Sequence, residues 1–123
     1  MVSQPKRILI VEDEKPLARA LELKLLNSGF RPRIAVDGQE ALDYLKKEKF
    51  DLMLLDLVMP NISGFDVLEK LSIEKNKIPV IVTSNLGQEE DLKKVEKYDV
   101  KKYFVKSDVG IVDIINYIKD FLK

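Results

Sequence analysis

The sequence predicts an α/β fold, a three-layer, doubly wound parallel sheet of five strands with five helices on its two faces. Three observations predict it. Five short apolar runs alternate with five longer stretches of helical period, the rhythm of strand-helix-strand units. Three of the runs, Ile8-Leu9-Ile10-Val11, Leu52-Met53-Leu54-Leu55 and Val80-Ile81-Val82, are apolar at consecutive positions, as strands buried on both sides are. Finally, 123 residues, 46% apolar and 34% charged, suit one core under a charged skin and are too few for two.

The elements follow in order. The first strand spans Arg7 to Val11, and Leu17, Leu21 and Leu25 then recur at i, i+4 and i+8 on a first helix, the spacing of one buried helical stripe. Gly29 sits where a left-handed cap closes that helix. The second strand, Arg33 to Val36, is mixed in character and reads as an edge. Asp37 is placed to cap the second helix, Gly38 to make the tight turn into it, and Ala41, Leu42 and Leu45 to bury it. The third strand is Asp51 to Leu55, followed by a helix marked by Phe65, Leu68 and Leu71; the fourth strand is Pro79 to Thr83. The fourth helix, about Gly87 to Tyr98, offers only Leu92 and Val95 for burial and is expected to be the least firmly anchored element. The last strand, Lys102 to Val105, reads as the other edge, and Ile111, Ile114, Ile115, Ile118 and Leu122 form the stripe of the last helix.

The chain has no cysteine and no histidine, which removes disulfides, thiol nucleophiles, zinc-finger sites, catalytic triads and imidazole acid-base work. Carboxylates, hydroxyls and lysines remain. The 21 basic and 21 acidic side chains cancel, so no net positive field drives binding to nucleic acid or an anionic membrane. No apolar run approaches the roughly 18 residues of a membrane span, and the basic pair Lys6-Arg7 is followed by too short an apolar run for a signal peptide. A soluble cytoplasmic protein is expected.

In an open parallel sheet, ligands bind beyond the carboxyl ends of the strands. Those ends are unusually polar here: Glu12 and Asp13 after the first strand, Asp56 after the third, Thr83 and Ser84 at the fourth and Lys106 at the fifth. If the first and third strands are neighbours, three carboxylates crowd one rim, and each close pair costs on the order of 4 kcal/mol at an effective dielectric of about 20. Either a pKa rises or a cation binds. An all-oxygen cluster favours a hard ion such as Mg2+, held by few protein ligands and several waters. Thr83 and Lys106 are suitable partners for a phosphoryl group on the metal's far side. A flavin or mononucleotide site would need a phosphate-cradling loop after the first strand, where this chain has Glu12-Asp13-Glu14-Lys15-Pro16. A magnesium-dependent aspartyl phosphatase of the haloacid dehalogenase type would want an acid two residues after its nucleophile, and Val58 stands there.

Residue by residue, the chain resembles the receiver domain of two-component response regulators, of the single-domain, chemotaxis type. The resemblance rests on Ile8 to Glu14, Asp37-Gly38-Gln39-Glu40-Ala41-Leu42, Asp51 to Pro60, Ser63-Gly64, Pro79 to Thr83 and Tyr103-Phe104-Val105-Lys106. It implies a flavodoxin-like sheet of order 2-1-3-4-5. It also implies that Asp56 is the phosphoacceptor, that Glu12, Asp13, Asp56 and the Val58 carbonyl hold Mg2+, and that Lys106 binds phosphate. Thr83 matches the switch hydroxyl and Tyr103 the switch aromatic. The donor is then a histidine kinase or phosphotransfer protein, or a small phosphodonor, and the output is contact between the fourth helix, last strand and last helix and a downstream protein target.

The chain departs from the family pattern at three places. Glu12 stands where aspartate is commonest, and Ser107 replaces the proline that normally follows Lys106 through a cis bond. Without proline a cis bond costs about 2.5 to 4 kcal/mol, so a trans Lys106-Ser107 peptide is expected. Asp99 occupies a turn usually held by glycine and would tolerate a left-handed backbone there. Val58 and Asn85 stand where family members tune dephosphorylation. The expectation is one stand-alone receiver domain over residues 1–123, a phosphoacceptor rather than an enzyme acting on a diffusible substrate, with no direct contact to nucleic acid or membrane. The alternative is a pseudo-receiver, a protein-interaction module that is never phosphorylated, and its support is the missing proline after Lys106.

Overall fold

The computed structural model describes residues 4–87 and 89–123. Met1 to Ser3, read above as part of a start without a signal peptide, and Gln88, placed above in the fourth helix, lie outside the described residues. Strands β1 (Arg7–Val11), β2 (Arg31–Ala35), β3 (Leu52–Leu55), β4 (Val80–Ser84) and β5 (Val100–Val105) alternate with helices α1 (Lys15–Asn27), α2 (Gly38–Lys47), α3 (Gly64–Ile73), α4 (Glu89–Glu96) and α5 (Ile111–Phe121). Every strand pair is parallel and the order is β2-β1-β3-β4-β5. The three wholly apolar runs therefore fill the centre of the sheet, and the two mixed runs are its edges.

Strand alternation splits the core into two layers. Leu9, Val11, Met53, Leu55, Val80 and Val82 face one way and pack with Ala41, Leu42, Val67, Leu68, Leu71 and Val95 of α2, α3 and α4. Ile8, Ile10, Leu52, Leu54 and Ile81 face the other way and pack with Leu21, Leu25, Ile114, Ile115 and Ile118 of α1 and α5. Among the described residues, no helix is long and apolar enough to cross a membrane.

The edge strands differ from their expected limits. β2 starts at Arg31 instead of Arg33, and Val36 lies beyond it, exposed; β5 starts at Val100 instead of Lys102. Hydropathy hides both starts, because an edge strand is fixed by pairing. Arg31 pairs Arg7 and Pro32 pairs Ile8, and proline is tolerated where one side of the strand has no partner. β3 and β4 begin one residue later than expected, at Leu52 and Val80. Asp51 instead accepts a hydrogen bond from the Arg7 backbone at 2.7 Å.

Gly29 has φ +91°, and Phe30 N–H bonds Leu25 C=O at 3.0 Å, so the left-handed cap is present. Asp37 caps α2 by accepting from Glu40 N–H at 2.8 Å. Gly38 does not make the expected tight turn: it is the first residue of α2, with no positive φ, and is buried under Ile62. Asp99 needs no left-handed backbone either, since Asn61 and Lys75 are the non-glycine residues with positive φ among those described. The Lys106-Ser107 peptide is trans.

Of the eight residues of α4 only Val95 is buried, whereas α5 buries Ile114, Ile115 and Ile118. Little apolar area ties α4 down, so its amides are expected to exchange with deuterium at least about tenfold faster than those of α5. Hydrogen-exchange NMR checks this, and equal protection in the two helices would contradict it.

Candidate functional site

The register of the central strands builds the site. Val11 of β1 pairs Leu55 of β3, and Asp56 N–H bonds Val11 C=O at 3.0 Å. The next residues out, Glu12 and Asp56, therefore emerge side by side at the carboxyl edge. With Asp13 they offer three carboxylate oxygens all within 4.8 Å of one another. Glu12 and Asp56 are buried, at 2% and 5% exposure, and Asp13 is exposed at the mouth.

Lys106 arrives from β5, two places from β3 and three from β1. Its N–H bonds Ser84 C=O at 2.8 Å, which fixes it at the end of β5. Its side chain reaches across the end of β4, and Nζ donates to Glu12 Oε1 at 2.6 Å and Asp56 Oδ2 at 3.2 Å. Asp56 Oδ1 accepts from Val58 N–H at 3.3 Å, and Glu12 Oε2 from Glu14 N–H at 3.2 Å. One ammonium thus bridges two buried carboxylates, with the third, Asp13, beside them. Burial pushes the Glu12 carboxyl above its usual range against the Lys106 hydrogen bond, and the Asp56 charge adds to the rise. Burial likewise raises Asp56, against the Lys106 charge and the Val58 N–H. At Lys106, burial acts downward but the Glu12 hydrogen bond and the Asp56 and Glu12 charges outweigh it, so its pKa rises.

Thr83, 3% exposed, lines a cavity with Lys106 and Asn85 beside α1 and α5. Tyr103 pairs Val82 across β4 and β5, one step short of Thr83, and packs with the layer under α2, α3 and α4. Its hydroxyl donates to the Leu86 carbonyl in the loop before α4. Glu12, Asp13, Asp56 and Lys106 are thus brought together directly, with the Val58 backbone beside them. Tyr103 stands apart, linked to the region through strand pairing and the Leu86 loop. The Val58 side chain is 56% exposed, so any contribution from this residue is through its backbone.

One contact escaped the sequence reading. A Cβ on Gly64, the first residue of α3, would collide with the Asp56 carbonyl oxygen and with Leu57 Cα at 2.6 Å. Gly64 N–H also bonds Leu57 C=O at 2.9 Å. The Ser63-Gly64 pair marks this position, since Ser63 caps α3 in a reciprocal box with Asp66, but spacing does not say which backbone the glycine meets.

The sequence model of the response regulator receiver domain matches residues 8–119. Among curated proteins, the probable transcriptional regulator ycf29 of Porphyra purpurea is 33% identical over 118 residues, covering 94% of this chain and 56% of that protein. The chain therefore spans about half the length of that relative. Among solved structures, a CheY-like response regulator receiver domain protein from Methanospirillum hungatei JF-1 superposes with TM-score 0.89 at 27% identity, covering 97% of this chain and 94% of that one. The response regulator TrrA of Thermotoga maritima, solved in complex with Mg(2+)-BeF, gives TM-score 0.81 at 28% identity over 94% of this chain and 97% of its own. Strand order, the acid-lysine rim and the match over residues 8–119 agree, and the chain belongs to the response regulator receiver domain family of two-component signalling.

Proposed function

We propose that Asp56 accepts a phosphoryl group from the phosphohistidine of a histidine kinase or phosphotransfer protein, or from a small phosphodonor. The observation that carries the reading is Lys106 Nζ bridging Glu12 and Asp56 from the end of β5, two places from β3 and three from β1. A purely structural lysine has no need to cross a sheet edge to two buried acids, whereas an acceptor of a dianionic group needs a fixed cation beside it. That reach is made despite Ser107, which supports a phosphoacceptor over the unphosphorylated interaction module.

Magnesium fits the residues present. Glu12, Asp13 and Asp56 supply oxygen donors only and lie within 4.8 Å, the few hard ligands that Mg2+ takes while keeping waters; the Val58 carbonyl is the fourth candidate. The TrrA complex with Mg(2+)-BeF supports the same assignment. When bound, the ion would offset carboxylate charge and that of the incoming phosphoryl oxygens. An Asp56 carboxylate oxygen forms the bond to phosphorus as the phosphorus–nitrogen bond to the donor imidazole breaks in line, the electron pair leaving with the imidazole. Lys106 stays beside Asp56 to bind a phosphoryl oxygen. These 123 residues contain no histidine, so the phosphohistidine comes from outside them.

The acyl phosphate adds nearly two negative charges and three acceptors. Thr83 is the hydroxyl to be drawn toward it, and Tyr103, tied to the Leu86 carbonyl, carries the change to the loop before α4. The thin burial of α4 supports α4, β5 and α5 as the face that changes for a downstream protein. Residues 1–123 work as one receiver domain in the cytoplasm, without direct contact to nucleic acid or membrane, consistent with zero net charge.

Incubation with Mg2+ and acetyl phosphate is expected to add one phosphoryl group by intact mass to the wild type and none to Asp56→Asn. A folded wild type that stays inert to both acetyl phosphate and beryllofluoride would sink this reading and favour the interaction module.

A further inference from the structure

We propose that Gly38, on α2, is a positioning residue for the candidate site, because it sets where the loop between β3 and α3 lies. The inference rests on the reading of that site as a magnesium-dependent phosphoacceptor. A Cβ on Gly38 would meet the Ile62 carbonyl oxygen at 2.5 Å, Ile62 Cγ2 at 2.7 Å and Ile62 Cβ at 2.9 Å. Such distances are inside van der Waals contact, so either the loop or the start of α2 must shift if a side chain is added, and the loop is the less tied of the two.

Ile62 lies on a short tether to the chemistry. Asp56 is six residues before it, and the Val58 backbone, whose N–H already holds Asp56 Oδ1 at 3.3 Å, lies between them. Asn61, immediately before Ile62, has φ +66°, a left-handed state that asparagine adopts more readily than most side chains and that turns the loop sharply there. At its far end the same loop is held by Gly64, packed on the Asp56 carbonyl. The loop is thus gripped twice, and both grips are glycines directly after a helix cap: Asp37-Gly38 opening α2 and Ser63-Gly64 opening α3. Helix propensity does not explain glycine at position 38, where alanine is intrinsically the better helix former. The close approach to Ile62 does. A displaced Ile62 would pull on Val58 and Asp56, whose placement metal binding depends on, as it does on groups behind metal ligands generally.

The test compares wild type, Gly38→Ala and Gly110→Ala, the last because an added Cβ there meets nothing within 4 Å. Backbone NMR without metal reads the loop, and a Mg2+ titration reads the site. Gly38→Ala is expected to move the amide signals of Leu57 to Ser63 and to weaken Mg2+ binding about tenfold, while Gly110→Ala changes neither. A folded Gly38→Ala with changes confined to α2 and wild-type Mg2+ affinity would overturn the proposal. To separate positioning from lost stability, the buried-core variant Leu54→Ala is titrated in parallel at a temperature where it is folded. It is expected to keep wild-type Mg2+ affinity, and an equal weakening in both variants would also overturn the proposal. If Gly38→Ala does not fold, Ile62→Ala takes its place: weakened Mg2+ binding supports the proposal and unchanged binding overturns it. A wild type that takes up no Mg2+ refutes the reading of the site instead, and the loop signals alone then decide the role of Gly38.

Discussion

Lys106→Met is expected to cost the metal-free protein about 3 kcal/mol at neutral pH and to slow phosphorylation of Asp56 at least about a hundredfold. The side chains involved are 12% exposed at Lys106, 1% at Glu12 and 6% at Asp56, so water repays little of what is lost. Breaking a buried pair by removing one partner leaves the other charge uncompensated, and here one ammonium serves two carboxylates. Methionine keeps most of the volume and none of the charge, which separates the electrostatic loss from a packing loss. The cost stays at the lower end of the usual range because Asp13 opens the cleft to solvent and because either acid can shed its charge by taking a proton.

That last escape gives the prediction its pH signature. Glu12 and Asp56 have folded-state pKa values raised above 4.5 and 3.8, so between those ordinary values and the raised ones the native state binds more protons than the unfolded chain. Stability therefore falls as pH rises through that window. Lys106, whose pKa is raised above 10.5, contributes stability that is fully present below that value and is lost as pH rises through its folded value. Removing its charge takes away what pulls both carboxyls down, so in Lys106→Met the decline extends to higher pH. Urea melts from acid to neutral pH, without metal, read this directly. A pH profile of Lys106→Met parallel to that of the wild type would contradict it. Millimolar Mg2+ is expected to recover part of the stability at neutral pH, since an ion bound only by the native state stabilises it by mass action.

The site was legible because its parts sit one residue past apolar runs. Once Ile8 to Val11 and Leu52 to Leu55 are strands, their in-register parallel pairing leaves Glu12 and Asp56 side by side. The full edge strands were not legible, since Arg31-Pro32-Arg33 carries no hydropathy signal and is strand only because β1 offers partners. Gly38 misled for a related reason. An Asp-Gly pair reads as a turn, and only tertiary contact reveals that the glycine makes room for Ile62. The bridge from Lys106 to both acids depends on side-chain reach across a strand, which the position of a lysine at a strand end does not specify. The Tyr103 tie to the Leu86 carbonyl involves a backbone atom, and backbone acceptors leave no mark on residue type.

Leu54→Ala is expected to destabilise the protein by about 3 to 5 kcal/mol, the usual cost of a cavity at a fully packed leucine, and to lower its melting temperature by about 10 to 20 °C. Leu54 is 1% exposed in the middle of the central strand and packs in the layer with Ile8, Ile10, Ile81 and α1 and α5. It pairs Ile10 on one side and Ile81 on the other, so no flexible edge can collapse into the void. The loss is a large share of the roughly 5 to 15 kcal/mol that holds such a domain together. Yet the backbone hydrogen bonds of β3 survive the truncation, and they, with the Gly64 and Gly38 contacts, are what place Asp56. The folded fraction of Leu54→Ala should therefore bind Mg2+ and accept a phosphoryl group as the wild type does, so that stability falls sharply while chemistry per folded molecule holds. Thermal melts and intact-mass kinetics below the melting transition measure the two quantities separately. Chemistry that falls in step with stability would mean that the sheet core itself, beyond the loop contacts, holds the acids in place.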